Sequence, residues 1–185
     1  IPDLVAETSA RLWHHPHATA PHCLTPTNPG RDVAPDLLLL AHLLDHGRIE
    51  RAVLHVKPYP YYASDATTAD VVDALRRLVR APGEAGRYGR LLWDAMTDGR
   101  LVVRAHPFSC APLPYADMPD DLRAEIGRAT LTVLKGDLNY RRLVGDRWWP
   151  PTTSFAEATA PFPGPVAALR TLKSDVVTGL DARTE

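Results

Sequence analysis

Cysteine is scarce in this chain: Cys23 and Cys110 are the only two in 185 residues. Two isolated cysteines exclude a disulfide framework and a Cys-x-x-Cys metal knuckle, and they suit a reducing compartment. An excess of one charge is missing too, since 21 Lys and Arg stand against 22 Asp and Glu for a formal net charge of −1. No basic run or stripe appears, which argues against nucleic acid or an anionic membrane as partner. The longest apolar run, near 37–44, is broken by His42 and falls far short of the ~20 residues that span a bilayer. No basic start followed by an apolar run marks a secretory leader. Together these absences point to a cytoplasmic globular protein. The chain opens at Ile1 instead of methionine, and so reads as a processed form, a trimmed chain or a fragment.

What is present looks like one folded unit. Hydrophobic residues make up 45% and charged residues 23%, an ordinary globular balance. A length of 185 residues supports a single domain, 1–185, with a sizeable core. Helical and strand patterns alternate along it. Apolar spacing predicts helices over 33–47, 67–81, 85–96 and 120–128, with Gly47 and Pro82-Gly83 as stops. Short aliphatic runs predict strands over 51–57, 101–105 and 131–134, and a short run, 22–25, precedes the first helix. A final strand is expected over 166–172, where Ala167-Ala168-Leu169 also suits a helix. This alternation implies crossover units and a mostly parallel sheet, hence an α/β fold. Two Pro- and Tyr-rich segments, 58–63 and 107–119, interrupt it and fit neither helix interiors nor central strands. They read equally as ordered pocket walls or as plain surface loops.

The polar residues fall in a pattern. The stretch Lys135-Gly136-Asp137-Leu138-Asn139-Tyr140-Arg141-Arg142 leaves the strand 131–134 and crowds an ammonium, a carboxylate, an amide and two guanidinium groups together. Asn28 follows the short run 22–25, Asp65 follows the strand 51–57, and His106 ends 101–105. In open α/β sheets, ligands bind outside the carboxyl ends of strands, so a parallel sheet would bring these residues to one rim. Such a rim suits an anionic ligand, with a carboxylate available for metal or proton work. Each residue also has a plainer explanation. Asp65 and Asp137 precede helical stretches and suit N-caps. Asn28 lies in an Asn-Pro-Gly turn. Arg141 and Arg142 suit a charged helix face, and Asp32, Asp36 and Asp45 suit first-turn or solvated helix charges. The cluster His14-His15-Pro16-His17, with His22 and Cys23, converges poorly for tetrahedral zinc and reads as an irregular exposed segment.

The run Lys-Gly-Asp-Leu-Asn-Tyr-Arg-Arg-Leu-Val-Gly-Asp-Arg-Trp-Trp (135–149) closely resembles the signature of the damage-control phosphatase family, also called acidic-residue methyltransferase-like and once filed as domain of unknown function 89. Leu-Arg-Thr-Leu-Lys-Ser-Asp-Val-Val-Thr-Gly-Leu (169–180) resembles that family's closing motif, and Lys-Pro-Tyr-Pro-Tyr-Tyr-Ala-Ser-Asp-Ala-Thr (57–67) a third. The resemblance runs from about Leu12 to Leu180. Heavy Arg, Pro and Ala usage suits a high-GC bacterial genome. The resemblance implies a Rossmann-like three-layer core and a metal-dependent phosphatase acting on small phosphorylated metabolites such as sugar phosphates. It implies a divalent metal: manganese, cobalt, nickel or magnesium. By matching motif positions, it places metal ligands at Asn28 and Asp65, with Asp32 nearby, and a phosphate contact at Lys135. Asp65, Lys135 and Asp137 would carry catalysis, and Asn139 and Arg170 would orient substrate. A methyltransferase activity proposed for some members is set aside, because no Gly-rich S-adenosylmethionine signature is present.

The chain departs from that pattern twice. Thr27 occupies the position of the first metal-binding Asp, which removes one negative charge from the ion's surroundings. The family's N-terminal helical region is missing, so the chain reads as the C-terminal core of a longer protein or as a remodelled one. A homodimer or a partner chain covering the missing region is expected. Thr27 leaves two other readings open: a repurposed enzyme doing lyase, cyclase or isomerase chemistry on a specialised metabolite with its metal lost, or a catalytically degenerate binding subunit. In every case the ligand expected in the crevice is a small anionic metabolite.

Overall fold

A computed structural model describes residues 22–25, as backbone, together with 33–62 and 65–183. Five strands form its centre: β1 (His22–Thr25), β2 (Ala52–Val56), β3 (Leu101–Ala105), β4 (Leu131–Lys135) and β5 (Val166–Leu169). They pair in the order β3-β2-β1-β4-β5, and every pairing is parallel. The chain therefore grows outward from β1 to one edge, then returns to β1's other side with β4. That reversal creates a topological switch point between β1 and β4, where the crevice of a doubly wound sheet opens.

The helices are α1 (Val33–Asp45), α2 (Thr68–Arg80), α3 (Gly83–Thr97), α4 (Asp120–Gly127), α5 (Asp137–Leu143) and the single turn α6 (Phe155–Ala158). One layer consists of α1, α2 and α3 against Leu54, Val56 and Leu101 of the sheet. The other packs α4 and α5 with Phe108, Tyr115 and Phe162 against Leu134. The result is the expected α/β sandwich of helices about a parallel sheet. All five residues of β2 are buried, as a strand covered on both faces requires.

Local chemistry explains the element ends. Thr67 caps α2, and its side chain accepts from the N–H of Asp70 while the Asp70 carboxylate accepts from the N–H of Thr67. Asp65 is therefore not the cap of α2. Asp137 is not a cap either: it is the first residue of α5, and Gly136 makes the turn before it at φ 100°. The final strand stops at Leu169, short of 172. The segment 107–119 is partly ordered as two 3-10 turns, Pro107–Cys110 and Tyr115–Asp117. The turn α6, held by Ser154 at its N-cap, is too short to leave a periodic signal. Among the described residues, no helix is long and apolar enough to cross a membrane.

Two features of the packing have measurable consequences. Helix α3 closes against α2 through Gly86 and Gly89. A Cβ at Gly89 would lie 2.5 Å from backbone atoms of Leu78 and Val79, which cannot swing aside. Gly89→Ala is therefore expected to destabilise the fold. Overpacking of about 1–3 kcal/mol outweighs a helix-propensity gain of about 1 kcal/mol. Urea unfolding at constant m-value measures the net loss.

His55 faces the α4 layer at 4% exposure, and its Nε2 has no hydrogen-bond partner. Burial pushes its ring below the ordinary value of 6.5, while Glu125 opposes that shift and His106 and Arg104 reinforce it. The folded chain thus keeps His55 neutral at pH values where the unfolded chain already binds a proton. Stability is fully present above about 6.5 and falls as the pH drops from there towards the lower folded value, at up to about 1.4 kcal/mol per pH unit. His55→Phe should flatten that decline in unfolding free energies measured between pH 7 and pH 5.

Candidate active site

The carboxyl ends of β1 and β4 border the switch point, and Lys135 is the last residue of β4. Register pairs Thr25 with Leu134, so Lys135 stands just beyond the end of β1. Its side chain keeps 28% of its surface open, and its Nζ lies 2.9 Å from Oδ1 of Asp36, whose side chain is only 8% exposed. Asp36 belongs to the first turn of α1, among the buried Val33, Leu37 and Leu40. It is not a solvated helix charge. The strand carrying Lys135 and the helix after β1 are thus joined by a partly buried ion pair.

A second pair lies at the exit of β2. Lys57 and Asp65 are exposed by 2% and 4%, with Lys57 Nζ 3.6 Å from Asp65 Oδ2. That separation is an ion pair without a hydrogen bond, and Lys57 Nζ makes none elsewhere. Burial lowers the affinity of Lys57 for its proton, and the Asp65 charge works against that. Asp65 Oδ2 also accepts from the backbone N–H groups of Tyr62 at 2.7 Å and Tyr61 at 3.1 Å. The carboxylate therefore folds the tyrosine loop around itself. The two rings meet edge to face at 4.8 Å, and Tyr62 is half exposed. Asp65 Oδ1 takes no hydrogen bond among the described residues. Since β2 and β4 flank β1, the ends carrying Lys57 and Lys135 are separated by two strand spacings, about 10 Å.

Other residues expected at the rim turn inward. Asn139 is 1% exposed. Its Nδ2 donates to the carbonyl of Lys135 at 3.0 Å, and its Oδ1 accepts from the Tyr115 hydroxyl at 3.0 Å. It braces the end of β4 from within. Arg170 is also occupied. Its guanidinium donates to the carbonyls of Val176 at 2.7 Å and Ser174 at 3.2 Å, stacks 4.1 Å from the Tyr140 ring, and pairs with Asp137 at 3.3 Å. Arg170 and Asp137, both 11% exposed, hold the closing segment 170–178 against α5. Asp137 reaches the backbone N–H of Lys173 at 3.5 Å, which sets that exposed lysine beside the same strand exit.

The two arginines of the motif are committed elsewhere. Arg142 is buried between the rings of Phe108 and Tyr115 and donates to the carbonyls of Leu113 and Phe108 at 2.7 and 2.9 Å. It anchors the Pro-rich segment, and burial alone lowers its pKa. Arg141 pairs at the surface with Asp146. His106 lies at the far edge strand, where its Nδ1 accepts from the N–H of Phe108 and its Nε2 faces Asp121 at 3.3 Å. Two hollows of about 520 and 300 Å³ lie over α1–α3, away from the crevice, around Arg87, Arg90 and Trp93.

Thr27, Asn28 and Asp32 lie outside the described residues, as do His14, His15 and His17. Among the described residues, no group of three or more His, Cys, Asp or Glu side chains converges as a metal site. Asp65 suits a hard divalent ion, because its hydrogen bonds from Tyr61 and Tyr62 fall on Oδ2 and leave Oδ1 to a cation. The sequence reading missed Asp36 and Lys57. An aspartate in a first helical turn and a lysine at a strand end both have ordinary explanations. The one available signal was that α1 is apolar on nearly every side, so a carboxylate within it has little solvent to face.

The family model described as damage-control phosphatase ARMT1-like domain matches residues 9–185. Relatives named damage-control phosphatase ARMT1 include those of Danio rerio, 34% identical over 97% of this chain and 41% of its own length, and Mus musculus, 35% identical over 83% and 36%. The Homo sapiens relative is 32% identical over 83% of this chain and 36% of its own. The chain thus spans about two fifths of the length of these relatives. The crystal structure of a DUF89 family protein from Pyrococcus horikoshii aligns with a TM-score of 0.46 at 15% identity, covering 89% of this chain and 50% of that one. The chain belongs to the damage-control phosphatase ARMT1-like domain family.

Proposed function

We propose that this chain is the core of a hydrolase that releases phosphate from small phosphorylated metabolites, sugar phosphates among them. The observation that carries this reading is Lys135: a partly open lysine at the β4 exit, bordering the switch point of an all-parallel sheet. An ammonium there would neutralise a phosphoryl group and the charge that develops on its oxygens. The tyrosine loop folded on Asp65 supplies a wall of ring faces for the organic part of the substrate. Asp137 and Arg170 fix the closing segment, and with it Lys173, beside the phosphate position.

A divalent ion, whether manganese, cobalt, nickel or magnesium, would be held by Asp65 with Asn28 and Asp32, the last two from outside the described residues. When bound, it would polarise the phosphoryl oxygens and make water a stronger nucleophile. Thr27 favours a second reading, in which this crevice keeps its phosphate contacts but has lost or changed its chemistry. The substitution Thr27→Asp separates the two, because it restores a carboxylate that metal binding would use.

The test is phosphate release from a panel of sugar phosphates with each of the four metals. Turnover by wild type is expected, with Lys135→Ala lowering kcat/KM by about 10²-fold. Circular dichroism should show Lys135→Ala folded. Failure of every substrate and metal pair with folded wild type, and again with Thr27→Asp, would reject a hydrolase. Asp65→Ala should abolish metal dependence and destabilise the fold by about 3–5 kcal/mol, because it leaves Lys57 buried without a counter-charge.

A further inference from the structure

Lys135 reaches the crevice on a flexible four-carbon stem. What holds it there comes from a segment ninety-nine residues earlier, the first turn of α1. Asp36 is an odd residue for that turn. The side chains around it on α1, Val33, Leu37, Leu40 and Ala41, are almost wholly buried. A carboxylate in such a setting is costly unless it is paired. A charge serving only the helix macrodipole would do so equally well from the solvent side. Its Oδ1 instead meets Lys135 Nζ at 2.9 Å. The Lys135 side chain keeps 28% of its surface open, so the pair is not sealed from solvent.

We propose that Asp36 is a positioning residue for phosphate binding, acting through Lys135 and not by touching substrate. Asp36 aims the ammonium at the space outside β1 and β4 and selects one arrangement of the lysine stem before the anion arrives. It also ties the helix that follows β1 to the end of β4, so the two sides of the switch point move as one body. This inference rests on the reading of Lys135 as a phosphate contact in a phosphatase-like crevice.

The test is a double-mutant cycle read by calorimetric binding of inorganic phosphate to wild type, Asp36→Ala, Lys135→Ala and the double variant. Melting temperatures are measured alongside. Asp36→Ala is expected to weaken phosphate about tenfold, and to add no further loss in the Lys135→Ala background. A merely structural role would lower the melting temperature in both backgrounds and weaken phosphate equally in both, which would overturn the assignment. So would unchanged affinity in folded Asp36→Ala, or wild type that binds no phosphate. If Asp36→Ala does not fold, Asp36→Asn replaces it under the same criterion, with an expected loss of about threefold because its amide oxygen still faces the ammonium. Turnover measured in parallel separates this claim from the one beneath it. Coupled phosphate binding without hydrolysis rejects the phosphatase and leaves Asp36 in its role. Hydrolysis without coupling rejects Asp36 alone.

Discussion

A charge taken out of water must meet an opposite charge or a full set of hydrogen bonds, and this requirement organises the crevice end of the sheet. Lys57 meets Asp65, Lys135 meets Asp36, and Arg170 meets Asp137. Arg142, which meets no carboxylate among the described residues, is satisfied by two carbonyls and two ring faces. Each contact joins separate stretches of chain. Lys135 and Asp36 tie β4 to α1, Arg170 and Asp137 tie the closing segment to α5, and Arg142 ties α5 to the Pro-rich turns. Backbone hydrogen bonds hold the strands side by side, but these buried ionic contacts fix how the segments leaving the strands are arranged around the crevice. Such contacts add little net stability compared with apolar packing of the same volume. Their effect is to penalise any arrangement in which a partner is displaced.

That arrangement depends on the order of the strands. With β1 in the middle and β4 returning to its other side, the helices that follow β1 and β4 pack on opposite faces of the sheet. In doubly wound sheets, the gap between two such helices is where a ligand binds. Gly136 lets the chain turn at once from β4 into α5, since its φ of 100° is open to glycine and strained for other residues. Lys135 is thereby left at the border of the gap, while Asn139, one helical turn later, folds back to hold the carbonyl of Lys135. The motif spacing reflects this geometry: the lysine meets Asp36 of α1, the aspartate anchors the neighbouring segment, and the asparagine locks the turn.

The fold was legible in the sequence because its signals are local. Aliphatic runs closed by glycine or proline marked β2, β3 and β4, and 3.6-residue spacing marked α2 and α3. The crevice was legible only in part. Lys135 and Asp65 stood out as polar groups after strands, and that inference needed nothing beyond the parallel sheet. The roles of Asn139, Arg170 and Arg142 were not legible, because an amide or guanidinium near a strand exit looks the same whether it faces substrate or a carbonyl. Asp36 was illegible for a different reason. Its partner lies ninety-nine residues away, and a first-turn aspartate already has a sufficient local explanation. Pairings of high sequence separation leave no periodicity to read.

The ion pairs also bear on Thr27. The three pairs named above match three cations with three carboxylates, so among the described residues they bring no surplus negative charge to the crevice. On the phosphatase reading, a divalent ion beside Asp65 would meet Lys57 3.6 Å away on the same carboxylate and would compete with it. An aspartate at position 27 would relieve that competition, and a threonine does not. The charges that remain to balance the ion are the Asp32 carboxylate and the substrate's own phosphate. Metal and phosphate should then depend on each other in this chain, each weakly held alone and better held together, because the two charges offset one another within a site whose own charges are already paired. The Thr27 substitution and the buried pairing of Asp65 thus bear on the same quantity, the charge available to a cation at the β2 exit.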